Sequence, residues 1–139
     1  MPVATSRLLF VLPVILIACG RDSVVEIGVI EHFGEAEGVI EAPASTILGR
    51  ATQVRVNTFG SDCVSSEWMS VEYLSDTEVE LTPYDRRSEG ICPANLRMIP
   101  HEEEIVFSKR GTVTVRVVGR RVDQQTDELT EVRRRIEVE

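Results

Sequence analysis

The chain has no Gly-x-Ser-x-Gly elbow, no Cys-x-x-Cys or His-x-x-x-His pair, and no Asp-x-Asp-x-Asp-Gly loop. Beyond residue 19 it also lacks any window of helical length with an i, i+3, i+4 apolar stripe. Each absence removes a class. Without the elbow, Ser61, Ser65 and Ser66 are loop hydroxyls rather than nucleophiles placed against a base. Without chelating pairs, a zinc site would have to gather Cys63, Cys92, His32 and His101 from scattered positions. A blue-copper set of Cys92, Met98 and His101 has the wrong order and spacing. Glu102, Glu103 and Glu104 could face calcium, but no ligand loop frames them. His101, beside those three acids, reads as a surface histidine. No catalytic residue, no metal site and no cofactor is therefore expected.

Positive charge is also scarce. The chain carries 15 Lys+Arg against 23 Asp+Glu, a net charge of −8. That balance argues against a nucleic-acid partner, because phosphate neutralisation needs a basic patch. The cations crowd the last third: Arg110, Arg116, Arg120, Arg121 and Arg133, Arg134, Arg135. They read as a solvated face compensated by Glu102, Glu103, Glu104, Asp127, Glu128 and Glu131.

The long apolar run at the start is the clearest positive signal. Residues 8–18 follow a short segment carrying only Arg7, and Leu16-Ile17-Ala18-Cys19 closes the run. The pattern is that of a secretory signal: a charged n-region, a short apolar h-region, then small residues. Pro13 and the short run speak against an uncleaved membrane helix. Cleavage after Gly20 would give ordinary secretion. Leu16 and Ala18, three and one residues before Cys19, instead resemble the lipobox of bacterial lipoproteins, in which the leader is removed and the cysteine acylated. Gly20 rather than Asp follows the cysteine, and in Gram-negative lipoproteins that implies the outer membrane. In this reading the protein is anchored to a membrane by lipid and faces the periplasm or the cell surface.

Removing residues 1–18 leaves Cys63 and Cys92 in a compartment where disulfides persist. A bond between them is worth about 3–4 kcal/mol by loop entropy. Residues 19–36 comprise the anchor, a short linker and an additional strand over 23–31; residues 37–139 form the domain. Period-two alternation rich in Val, Ile and Thr predicts seven further strands, over 38–43, 52–59, 69–74, 77–82, 98–108, 112–119 and 129–138. Pro43 and Pro83 mark strand ends. The tetrapeptide at 28–31 recurs at 38–41, which we read as coincidence within two strands. Strands 112–119 and 129–138 should pair as an antiparallel hairpin across the polar residues 123–127.

Short strands with turn signals every 8–12 residues indicate an all-β, immunoglobulin-like antiparallel β-sandwich of seven to eight strands. Such a sandwich gathers the connections after 52–59 and after 77–82 at one pole. Cys63 and Cys92 then come within the roughly 4.4–6.8 Å between Cα atoms that a disulfide needs. Trp68 falls in the first of these connections, where it could serve as a core anchor or as an exposed binding aromatic.

Residues 49–59, Cys63, 79–85, Cys92, Leu96, His101 and 111–119 together resemble the body of small uncharacterised bacterial lipoproteins with an immunoglobulin-like β-sandwich domain. That resemblance implies a fold and a staple, and no activity. The functional expectation is a non-catalytic envelope lipoprotein: a binding or structural module anchored through lipidated Cys19, with an envelope protein or glycan as partner. The alternative is an inhibitor or regulatory subunit of a periplasmic or cell-surface enzyme, presenting the loops around Cys63 and Cys92. A small hydrolase or metal-binding protein is the third reading.

Overall fold

A computed structural model describes residues 22–32 and 38–139. The leader at 1–18, the lipidation residue Cys19 and the start of the linker lie outside the described residues. Among the described residues the chain is all-β, with ten strands joined in one curled mixed sheet, a half-barrel. They are β1 (Ser23–Ile27), β2 (Val29–His32), β3 (Ile40–Glu41), β4 (Ser45–Thr46), β5 (Ala51–Gly60), β6 (Val64–Ser75), β7 (Glu78–Ser88), β8 (Arg97–Val106), β9 (Gly111–Val122) and β10 (Asp127–Val138).

All eight anticipated strand regions are present, but they pair differently from two separate antiparallel sheets. β7 lies parallel to β9, β2 parallel to β9, and β4 parallel to β10. Through β2, which touches both β5 and β9, hydrogen bonding runs on from one side of the core to the other. Alternation reports which face of a strand is buried and nothing about which edge finds which partner. The sequence pattern therefore supports strands and faces but not this topology.

Gly28 is where the first strand divides. β1 runs antiparallel to β7, and β2 then runs parallel to β9. Between them Gly28 N–H donates to Pro83 O at 2.9 Å, and its carbonyl accepts from Arg120 N–H at 2.9 Å. A Cβ there would stand 2.4 Å from Thr58 Cγ2 and 2.8 Å from Asp85 Oδ2, so only glycine fits. Gly38 in the recurring tetrapeptide does a different job, turning the chain at φ +75°. The two copies thus share letters and not a role.

Pro83 sits inside β7 rather than at a strand end. Its backbone oxygen faces Gly28, so its missing N–H also points there, where β7 passes from β9 to β1. Neither neighbouring ladder loses a bond.

The core lies inside the curl. Val54, Val56, Val79, Leu81, Ile105, Val113, Val115, Val117 and Ile136 are all at or near zero exposure. They come from the inward parity of β5, β7, β8, β9 and β10. The β9–β10 hairpin pairs without a slip from Asp127↔Val122 to Val138↔Gly111, as the sequence predicts. The compensated cationic face is also present, with changed partners. Arg116 pairs with Glu78, Glu80 and Glu131; Arg120 with Glu26 and Asp127; Arg121 with Glu31 and Glu128. Glu102, by contrast, binds Arg55 at 2.5 Å.

Candidate functional site

The half-barrel does not close. Among the described residues β6 pairs only with β7, and β8 only with β5. Their other edges face one another across a seam. Asn57 N–H donates to Val39 O on the β3 side of β5, so by antiparallel alternation Val56 and Thr58 bond to His101 and Ile99 of β8. Met98, Pro100, Glu102, Glu104 and Val106 consequently turn their backbone polar groups toward the seam. Pro100, which has no N–H to offer, occupies one of these edge positions.

Two side chains bridge the seam at its ends. Arg97 Nη2 donates to Val64 O at 2.7 Å, and Val106 N–H donates to Tyr73 Oη at 3.2 Å. Both latches join residues 33 apart, so β6 and β8 run parallel. Each is an exposed hydrogen bond worth about 0.5–1.5 kcal/mol. Between them lies an open cleft of about 310 Å³, lined by residues 66–69 of β6 and 100–103 of β8.

Trp68 lines this cleft. It stands within β6 rather than in a connection, as do Ser65 and Ser66. A register shift between Ser66 and Trp68 gives Glu67 no opposite partner and turns Trp68 against Tyr84, where the rings stack with centroids 4.0 Å apart. Trp68 remains 50% exposed. On the same rim Arg86 grips Glu67 with two bonds of 2.8 and 2.5 Å and reaches Ser23 Oγ at 2.8 Å. The Arg86 hydrogen bonds hold the Glu67 carboxyl below the usual glutamate range, against the smaller effect of desolvation.

His101 forms the floor of the cleft and is not a surface residue. Only 4% of it is exposed, and its Nε2 lies 2.8 Å from Asp85 Oδ1. Thr58 Oγ1 is 3.4 Å from the same nitrogen. The local reason is parity. His101 shares the inward side of β8 with Ile99 and Ile105, and Asp85 shares that of β7 with Val79 and Leu81. A relay to a nucleophile needs the acid on one ring nitrogen and the hydroxyl on the other. Here both meet Nε2, so the arrangement satisfies a buried polar pair rather than activating Thr58.

Next to His101, Glu103 turns inward and is only partly buried; among the described residues its carboxylate has no ion pair or hydrogen bond. Asp85, Thr58, Tyr73, Arg97 and Glu103 carry no motif in the sequence. The inward parity of an acid in β7 and a histidine in β8 is the signal that could have found the buried pair.

Cys63 and Cys92 are joined, with Cα atoms 5.7 Å apart. They lie between β5 and β6 and between β7 and β8, at one pole, as expected. Ser88 N–H donates to Cys63 O at 2.9 Å, and Arg97 Nε meets Asp62 Oδ1 at 3.2 Å beside the first latch. No group of three or more His, Cys, Asp or Glu converges to hold a metal among the described residues. No family model, curated protein or solved structure matches this chain.

Proposed function

We propose that the protein is a non-catalytic binding module of the cell envelope, held to the membrane through acylated Cys19, with the β6/β8 cleft as its recognition surface. The carrying observation is the open seam: two adjacent strand edges that the fold brings together and that pair with no other strand among the described residues, beside a half-exposed tryptophan. Monomeric β-proteins normally cover or pair such edges. The resemblance of Leu16 to Cys19 to a lipobox supports the anchor, and the immunoglobulin-like lipoproteins remain the family whose pattern the sequence approaches. Nothing in the Asp85–His101–Thr58 cluster favours turnover.

Mass spectrometry of the membrane fraction tests the anchor. The expected N-terminal peptide starts at Cys19 and carries added acyl mass; a soluble form beginning at Arg21 overturns it. Crosslinking in intact envelopes, followed by capture of the protein, tests the binding role.

One observation favours the inhibitor reading as the second choice. Ile91 is fully exposed on the loop that the Cys63–Cys92 bond pins. A stiff loop offering one apolar side chain suits insertion into an enzyme cleft. If capture yields an envelope enzyme, and Ile91→Ala abolishes that capture while Trp68→Ala does not, this second reading replaces the first.

A further inference from the structure

We propose that the β6/β8 seam accepts an extended cationic peptide segment, which inserts as an additional strand and makes the half-barrel continuous. This deepens the binding-module reading and rests on it. Three features of the seam carry it.

The first is main-chain geometry. β6 and β8 are parallel, so one strand lying antiparallel to both could bond to each, using the groups that residues 98, 102 and 104 of β8 turn outward. The second is how the seam is held. Arg97 and Tyr73 bridge its two edges, with the Asp85–His101 bond beneath and the Cys63–Cys92 bond at one pole, and no backbone ladder has to break for the edges to part.

The third is charge. Between the latches stand Glu67, Glu72, Glu102, Glu103 and Glu104, with no Lys or Arg. Arg86 and Arg55 offset Glu67 and Glu102, but Glu103 lines the cleft with no ion pair or hydrogen bond among the described residues. Trp68 adds an exposed aromatic surface on which an ammonium or guanidinium can rest. A second copy of this chain is a poor occupant, because its own β6 and β8 edges would bring acid against acid.

The test uses the full chain in neutral-detergent micelles and a capped heptapeptide alternating Lys and Val. Trp68, the single tryptophan of the chain, reports binding by fluorescence. Three comparisons are made: a Glu-for-Lys peptide, a Lys–Val peptide N-methylated at alternate residues, and the chain variants Glu103→Gln and Tyr73→Phe. The expected results are saturable binding of the Lys–Val peptide, with Glu103→Gln about tenfold weaker. The N-methylated and acidic peptides should not bind. Tyr73→Phe should bind more tightly, because one latch is gone.

Equal binding of the N-methylated peptide would show that the strand edges are not used, and equal binding of the acidic one that charge is not. Either result overturns the proposal. So does a concentration-dependent dimer of the chain that ignores all three peptides, since the occupant is then a second copy. Acylation of Cys19 and envelope capture are read independently. If they succeed while the peptide fails, the module stands and its cationic ligand falls; if they fail while the peptide binds, the reverse holds.

Discussion

The β9–β10 hairpin and the β6/β8 seam are built from strands of similar length around one core, yet one is closed and the other open. Across the hairpin the register is unbroken, and Val113, Val115, Val117, Ile136 and Val138 press inward from it. Across the seam no ladder forms among the described residues; Arg97 and Tyr73 reach from edge to edge. Inward alternation is weaker at the seam, where β6 fully buries only Met69, than along β9, but burial sets which face turns inward and not which edges join. Edge chemistry does. β8 offers Pro100 and three consecutive glutamates, and β6 carries two register shifts. These are the devices that keep a strand edge from taking up a like partner. The hairpin carries a paired-charge face that costs its ladder nothing.

The strongest way to break this contrast is to remove the closed side. Deleting residues 129–139 takes away Ile136 and Val138, both essentially buried, and bares one edge of β9. Losing two such side chains costs at least about 3–6 kcal/mol before the edge is counted. Denaturant titration should show no cooperative transition. An unchanged midpoint would mean that β10 is not part of the core.

The next largest effect lies beneath the seam. Asp85→Ala or His101→Ala leaves the other member of the pair buried without its 2.8 Å partner. The loss should be about 3–5 kcal/mol, as for other buried pairs broken on one side. A double variant should cost much less than the two single losses added together. Strict additivity would mean that the pair is not a unit.

Reducing the disulfide, or Cys63→Ser, should cost about 2–4 kcal/mol. Its local signature sharpens the contrast. Amide exchange should rise near Val64 and Arg97, where the seam begins, and stay unchanged along β9 and β10. Uniform exchange gains across both regions would show that the bond stabilises the whole domain and not that pole.

Much of this was legible in the chain. Period-two alternation located every long strand and the terminal hairpin, and the order of those strands put Cys63 and Cys92 at one pole. Three things were hidden. Parallel pairings such as β7 with β9 depend on which edges meet after the chain has folded, and no local pattern encodes that. His101 was hidden because its neighbours Glu102 and Glu104 are exposed, while its own side follows Ile99 and Ile105. Trp68 reads as a loop residue because β6 begins at Val64, earlier than its apolar alternation does, with Ser65 and Ser66 paired to β7 through the backbone and Glu67 bulged out and held by Arg86.

The smallest expected effect separates the two regions by pH and salt. Asp123 Oδ1 accepts the backbone N–H groups of Gln125 and Thr126 at 2.7 and 2.8 Å in the β9–β10 turn. The bond from Gln125, followed by those from Thr126, holds its carboxyl below the usual aspartate range. Glu67 is lowered in the same sense by Arg86 at the seam. A depressed carboxyl stabilises the fold above its unfolded pKa, and that contribution is lost as pH falls through the folded value, so the window opens below about pH 4. Asp123→Asn keeps an oxygen acceptor for both N–H groups but cannot titrate. It should flatten the fall of Tm below pH 4, and Glu67→Gln should do the same to a similar or lesser degree. In about 0.5 M salt the two should part, because an exposed ion pair is screened whereas bonds within a turn are local. The Glu67→Gln difference should then shrink toward zero while that of Asp123→Asn persists. If both vanish together, the turn is held by long-range charge and not by the geometry that closes the hairpin.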